Sequence, residues 1–111
     1  MQRQNAATEF QLIIAIVEAG RASATMDAAR SVGAEGCTIL YGRGVGVHEH
    51  DTFFGASIEP EKEILMILIA KANTDMVLEA VVSAGELNEP GRGIAFVTDV
   101  VKIAGIVHIG E

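Results

Sequence analysis

The sequence predicts an α+β fold: a ferredoxin-like βαββαβ chain built on one antiparallel sheet. Three observations predict it. Apolar runs of strand length at 10–20, 37–43, 63–71 and 94–100 are interspersed with two segments of helical period at 21–36 and 73–87. Their order is strand, helix, strand, strand, helix, strand, which is two βαβ units sharing one sheet. The chain has 111 residues, of which 50% are hydrophobic, enough for one domain with a real core.

The elements follow in order. Residues 1–9 are polar and are expected to be a flexible N-terminal segment before a single domain at 10–111. "FQLIIAIVEAG" (10–20) is a short apolar run closed by Gly20, as in a buried strand. In 21–36 the period changes. Ala22, Met26, Ala29 and Val32 fall at helical spacing, and Gly33 and Gly36 suit a helix stop. "CTILYGR" (37–43) alternates as a strand. "EILMILIAK" (63–71) is apolar without alternation, so both of its faces need cover. Residues 73–87 form the second helix, with Asn73 or Thr74 as cap and Val77, Ala80, Val81 and Ala84 as its stripe. "NEPGRG" (88–93) is a turn, and "IAFVTDV" (94–100) is the fourth strand. "VKIAG" (101–105) suits one helical turn and "IVHI" (106–109) a short last strand, which holds His108.

Two helices can cover only one face of such a sheet. The chain is too short for a third layer, so a homo-oligomer that packs sheet faces together is expected.

Composition excludes several function classes. The formal net charge is −7, so the basic footprint of a nucleic-acid binder is missing. No apolar run is long enough to span a bilayer, and 1–10 lacks the apolar core of a signal peptide. The lone cysteine, Cys37, can form no internal disulfide and reads as a small buried hydrophobe. These features suit a soluble, cytoplasmic protein. No Ser-His-Asp order or Cys-His pairing is evident, and an enzyme is not expected.

The chemistry concentrates in "YGRGVGVHEHDTFFGASIEPEKE" (41–63). Amides at Gly44 and Gly46 can approach a phosphate closely because no Cβ interferes. The segment does not open a helix, so it is not a dinucleotide fingerprint. Arg43 and Arg92 are the guanidinium candidates for an anion, with solvated surface charge as the other reading. Lys62 is a third cation, or a solubilising residue beside a strand. His48 and His50, two apart and followed by Asp51, could chelate a transition metal; a polar loop is the other reading. Phe53 and Phe54 in a polar loop suit a docking surface, or they cap the core.

"LIIAIVEAG" (12–20), "GAEGCTILYGRGVG" (33–46), "IEPEKEILMILI" (58–69) and "GRGIAFVTDVVKI" (91–103) together resemble the P-II nitrogen-regulator superfamily, in its divergent P-II-like branch. The resemblance spans about residues 11–105 and rests on several moderate matches in the right order. It implies a ferredoxin-like homotrimer that binds ATP or ADP between subunits. Thr38, Gly44 and Gly46 would lie beside the nucleotide. Gly91, Arg92 and Gly93 would wrap its phosphates, with Lys62 near the family's loop-end Lys. Residues 47–59 would form the mobile T-loop that docks on a target enzyme or membrane transporter through His48, His50, Phe53 and Phe54.

The chain also departs from that family. Val47-His48 stands where the regulators carry Arg-Gln, Ile94 replaces a Lys, and Gly105 and Val107 align with two phosphate-binding Arg residues. Weak nucleotide binding, or a ligand with fewer phosphates such as AMP, is therefore expected, with or without a divalent metal. The alternatives are a metal-binding trimer using His48, His50 and Asp51, and a structural oligomer without effector.

Overall fold

The computed structural model of the protein describes residues 9–46, 52–53, 56–57 and 59–105. Strand β1 (Phe10–Glu18) leads to helix α1 (Ala22–Ser31) and strand β2 (Thr38–Arg43). Two short strands, β3 (Thr52–Phe53) and β4 (Ala56–Ser57), pair as a ribbon. Strand β5 (Glu61–Ala70), a 3-10 turn (Lys71–Asn73), helix α2 (Thr74–Gly85) and strand β6 (Gly93–Val100) complete the described chain.

The main sheet has the order β2-β5-β1-β6, and all its pairings are antiparallel. The expected βαββαβ chain is therefore present, with the β3–β4 ribbon added inside the 47–59 loop. Strand side chains alternate between faces. Ile13, Ala15 and Val17 of β1 and Leu65, Ile67 and Ile69 of β5 are fully buried on one face. Ala22 and Ala29 of α1 and Val77 and Val81 of α2 belong to the same core. Each Val, Leu or Ile side chain fully buried this way contributes about 1.5–3 kcal/mol.

The opposite face carries Leu12, Ile14, Ile16, Ile64, Met66 and Leu68, all half-buried. The register aligns Thr38, Met66, Ile14 and Phe96 in one row and Leu40, Ile64, Ile16 and Ile94 in the next. Leu40, Phe96 and Ile94 are 46%, 45% and 56% exposed. Among the described residues, the unbroken apolarity of β5 thus has helix cover on one side only.

Both helices end in the same way. At α1 the N–H of Ala34 donates to Ala29 O and that of Gly33 to Arg30 O, with Gly33 at φ +116°. This is a Schellman stop, and glycine suits its left-handed residue. At α2 the equivalent residue is Glu86, at φ 57°. Helix α1 starts without a side-chain cap of its own.

Several expectations need correction. Thr25, outside the anticipated stripe, is fully buried; its hydroxyl donates to Arg21 O at 2.7 Å and is thereby satisfied. Strand β5 starts two residues earlier than its apolar run, because Glu61 and Lys62 pair with Arg43 and Gly42 of β2. Residues 101–105 form no helical turn. Glu9, assigned to the flexible segment, accepts the Lys71 N–H at 2.8 Å. The final strand expected at 106–109 lies outside the described residues.

Candidate functional site

The sheet gathers six of the eight candidate nucleotide-binding residues at one of its ends. Gly42 of β2 lies opposite Lys62 of β5, and Lys62 lies opposite Glu18 of β1. Arg43 faces Glu61, and Gly93 of β6 faces Val17. Arg43, Gly44, Lys62 and Gly91–Gly93 therefore share this end. The two glycine segments are nevertheless on opposite edge strands, about 14 Å apart at three inter-strand steps.

A cleft of about 470 Å³ opens beside β2, lined by Ala19, Tyr41, Gly42, Arg43, Glu61, Lys62 and Glu63. That volume lies in the range of small-molecule sites. Lys62 is buried, although it carries an ammonium group. Arg43 is exposed and makes no ion pair among the described residues. Tyr41 offers a ring that is 77% exposed. Glu63 is committed elsewhere: its Oε1 accepts the N–H groups of Gly20 at 2.9 Å and Ala22 at 2.8 Å. It thus supplies the missing cap of α1 and sits at the positive end of that helix.

The Gly44 N–H donates to Pro60 O at 3.1 Å and closes the base of the 47–59 loop. A Cβ at Gly44 would meet nothing within 4 Å. Gly93 is different. It has φ +146°, and a Cβ there would stand 2.1 Å from Ile16 O. Glycine at 93 is required by the packing of β6 on β1, whatever else this loop does.

Arg92 is already engaged. Its Nη1 donates to Glu18 Oε1 at 2.9 Å and stands 3.5 Å from Glu86 Oε1. Arg21 joins the same pair of carboxylates, 3.1 Å from Glu86 and 3.7 Å from Glu18. Arg21 also donates to Ala84 O at 3.3 Å, near the negative end of α2. The hydrogen bond that Arg92 donates to Glu18, and then the charges of Glu18 and Glu86, raise the guanidinium above its ordinary pKa.

Thr38 is not brought to this end of its own chain. It begins β2 while Arg43 ends it, five residues and about 17 Å away. Of the loop's candidate contact and metal residues, only Phe53 is described, and only in its backbone. His48, His50, Asp51 and Phe54 lie outside the described residues, as does His108. Among the described residues no group of three His, Cys, Asp or Glu side chains could hold a metal ion. Cys37 is half-buried and packs against the core, and burial pushes its thiol pKa up.

Sequence reasoning missed Glu18, Glu63, Glu86 and Tyr41. Glu63 left one usable signal. It shares the helix-facing parity of Leu65, Ile67 and Ile69, and a carboxylate on such a face needs donors.

An open antiparallel sheet with two helices on one face defines the class of ferredoxin-like chains, and here a cleft lined by two cations and two carboxylates opens at one sheet end. The family model for nitrogen regulatory protein P-II matches residues 10–107, and the chain belongs to that family of regulators. Its structure is similar to that of Arabidopsis thaliana PII bound to citrate, with a TM-score of 0.67 and 25% identity over 84% of this chain and 78% of that one. A comparison with curated proteins finds no match. No helix among the described residues is long and apolar enough to cross a membrane.

Proposed function

We propose that the protein is a cytoplasmic homotrimeric signalling protein that binds a small anionic effector at the β2 end of its sheet. The observation that carries this reading is the cleft itself. Arg43 and buried Lys62 line it together with Glu61 and Glu63, and Gly44 follows Arg43 in the chain, at the base of the 47–59 loop. An adenine nucleotide is the effector we favour: Tyr41 offers a face on which a base can stack, and the two cations suit phosphate. That the similar plant PII is bound to citrate supports an anionic ligand.

The trimer rests on the uncovered apolar face of β1, β5 and β6, which a second and third copy would bury. Assembly also addresses the separation of the two glycine segments. A ligand between subunits can touch residues that one chain holds far apart, Thr38 among them.

Signalling follows from position. Gly44 and Pro60 close the loop by one hydrogen bond. A ligand that takes the Gly44 amide shifts the population of loop conformations. The loop then engages or releases a target protein through Phe53, Phe54 and its histidines; a membrane transporter is one such target.

A thermal-shift series with ATP, ADP, AMP and citrate tests this reading. Binding to the native state raises the melting temperature. At least one of these anions should do so in the micromolar to millimolar range. If none does at millimolar concentration, the effector reading fails and the fold alone remains.

A further inference from the structure

We propose that Glu18 and Glu86 act as internal anions: they occupy Arg92 and bar polyphosphates from the second glycine loop. The inference deepens the proposed function, on which its ligand class rests, by stating which anions the site refuses.

The geometry has three parts. Arg92 Nη1 faces both carboxylates, at 2.9 Å from Glu18 and 3.5 Å from Glu86. Arg21 contacts the same two carboxylate oxygens, so moving them away from Arg92 breaks its contacts as well. Glu89 adds a third negative charge acting on Arg92. Two guanidinium groups against three carboxylates leave this corner with a net charge of −1.

The four paired side chains are 34–38% exposed, and isolated surface pairs of this kind hold weakly. The barrier is therefore not the strength of one ion pair. An incoming phosphate would stand beside Glu18 and Glu86 while competing for the donor they already occupy. Like charges at such distances disfavour binding, and each further phosphate adds to the penalty. On the other side of the sheet end Arg43 forms no ion pair among the described residues, and of the two carboxylates lining that cleft Glu63 is engaged by the N–H groups of Gly20 and Ala22. A monoanion or a single phosphate can stay there, whereas a triphosphate that extends to the second glycine loop of a neighbouring copy in the proposed trimer meets the carboxylates.

The test follows the Arg92 Nε–Hε resonance by NMR during titration with inorganic tripolyphosphate. The parent, Glu18→Gln, Glu86→Gln and Glu86→Gln/Arg92→Lys are compared, and ATP and AMP affinities are measured in parallel. The parent resonance should not move with tripolyphosphate. Either Gln variant should show a saturable shift, and its ATP affinity should rise about fivefold or more while AMP affinity stays level. The double variant should lose most of the gain in ATP affinity, because an ammonium cannot present the guanidinium fork. A parent that binds tripolyphosphate at Arg92 as tightly as the Gln variants overturns the proposal. So does a Gln variant whose resonance does not respond, including one that only melts earlier, since the carboxylates would then be structural staples. If the variants respond to tripolyphosphate but no protein binds ATP or AMP, the clamp stands and the nucleotide reading fails. If the parent binds ATP and the Gln variants bind it no better, the clamp fails and the nucleotide reading stands.

Discussion

Glu63 caps the helix that begins at Ala22: one carboxylate oxygen of β5 accepts the Ala22 N–H at 2.8 Å and the Gly20 N–H at 2.9 Å. The contact joins residues 41 apart in sequence. It ties the strand that carries Lys62 to the first helix. Glu63→Ala should therefore destabilise the protein by about 2 kcal/mol, because two amides lose a charged acceptor. Glu63→Gln keeps an oxygen in place and should cost about half as much. Urea unfolding at one fixed protein concentration measures both.

The glycines of the two loops should separate in a mutational test. Gly93→Ala forces a Cβ into the Ile16 carbonyl and should cost more than about 3 kcal/mol, or prevent folding. Gly44→Ala enters open space and should change stability by less than about 0.5 kcal/mol. Melting curves of the two variants check the contrast. Gly44 is thus a position that can be substituted without disturbing the fold.

These residues also show what the sequence could and could not tell. The apolar run of β5 and the stripe of α2 are local patterns, so the order of elements and the need for cover on a second face were legible. Thr25 was not, because its burial depends on a hydroxyl bonding back to Arg21 within the helix. The cap at Glu63 and the clamp at Arg92 are non-local: Glu18 and Arg92 stand 74 residues apart. Arg92 was legible as a cation near the second glycine loop, but not as one already neutralised. Nor was it legible that the sheet itself requires glycine at Gly93, the third member of the same loop.

Cys37 should react slowly. Burial favours its neutral thiol, so the folded pKa lies above the ordinary value of 9.0. The folded state then binds this proton more tightly than the unfolded chain. The stabilisation is complete below about pH 9.0 and is lost as pH rises through the higher folded value. Iodoacetamide at pH 8 should modify the native protein more slowly than the unfolded chain. The stability difference between the parent and Cys37→Ala should be level below that window and shift against the parent above it.

Phe96→Glu should break the assembly. Phe96 lies in the row with Ile14 and Met66 on the face without helices and is 45% exposed in one chain. A carboxylate buried there without a partner is strongly disfavoured. Light scattering should give the parent about three times the chain mass of 11.7 kDa and the variant a monomer or aggregate. A parent that stays monomeric at micromolar concentration contradicts the trimer.

The most direct measurement of the central claim is a calorimetric titration of the parent and Gly44→Val with ATP, ADP and AMP. An effector seated against the Gly44 backbone predicts saturable binding to the parent, with one site per chain. It predicts AMP bound at least as tightly as ATP, since Arg92 is occupied by Glu18 and Glu86. In Gly44→Val the side chain should block the ligand's approach and weaken binding at least about tenfold, with the melting temperature of the free protein nearly unchanged. No heat from the parent at millimolar nucleotide, or equal affinity in Gly44→Val, would contradict the account.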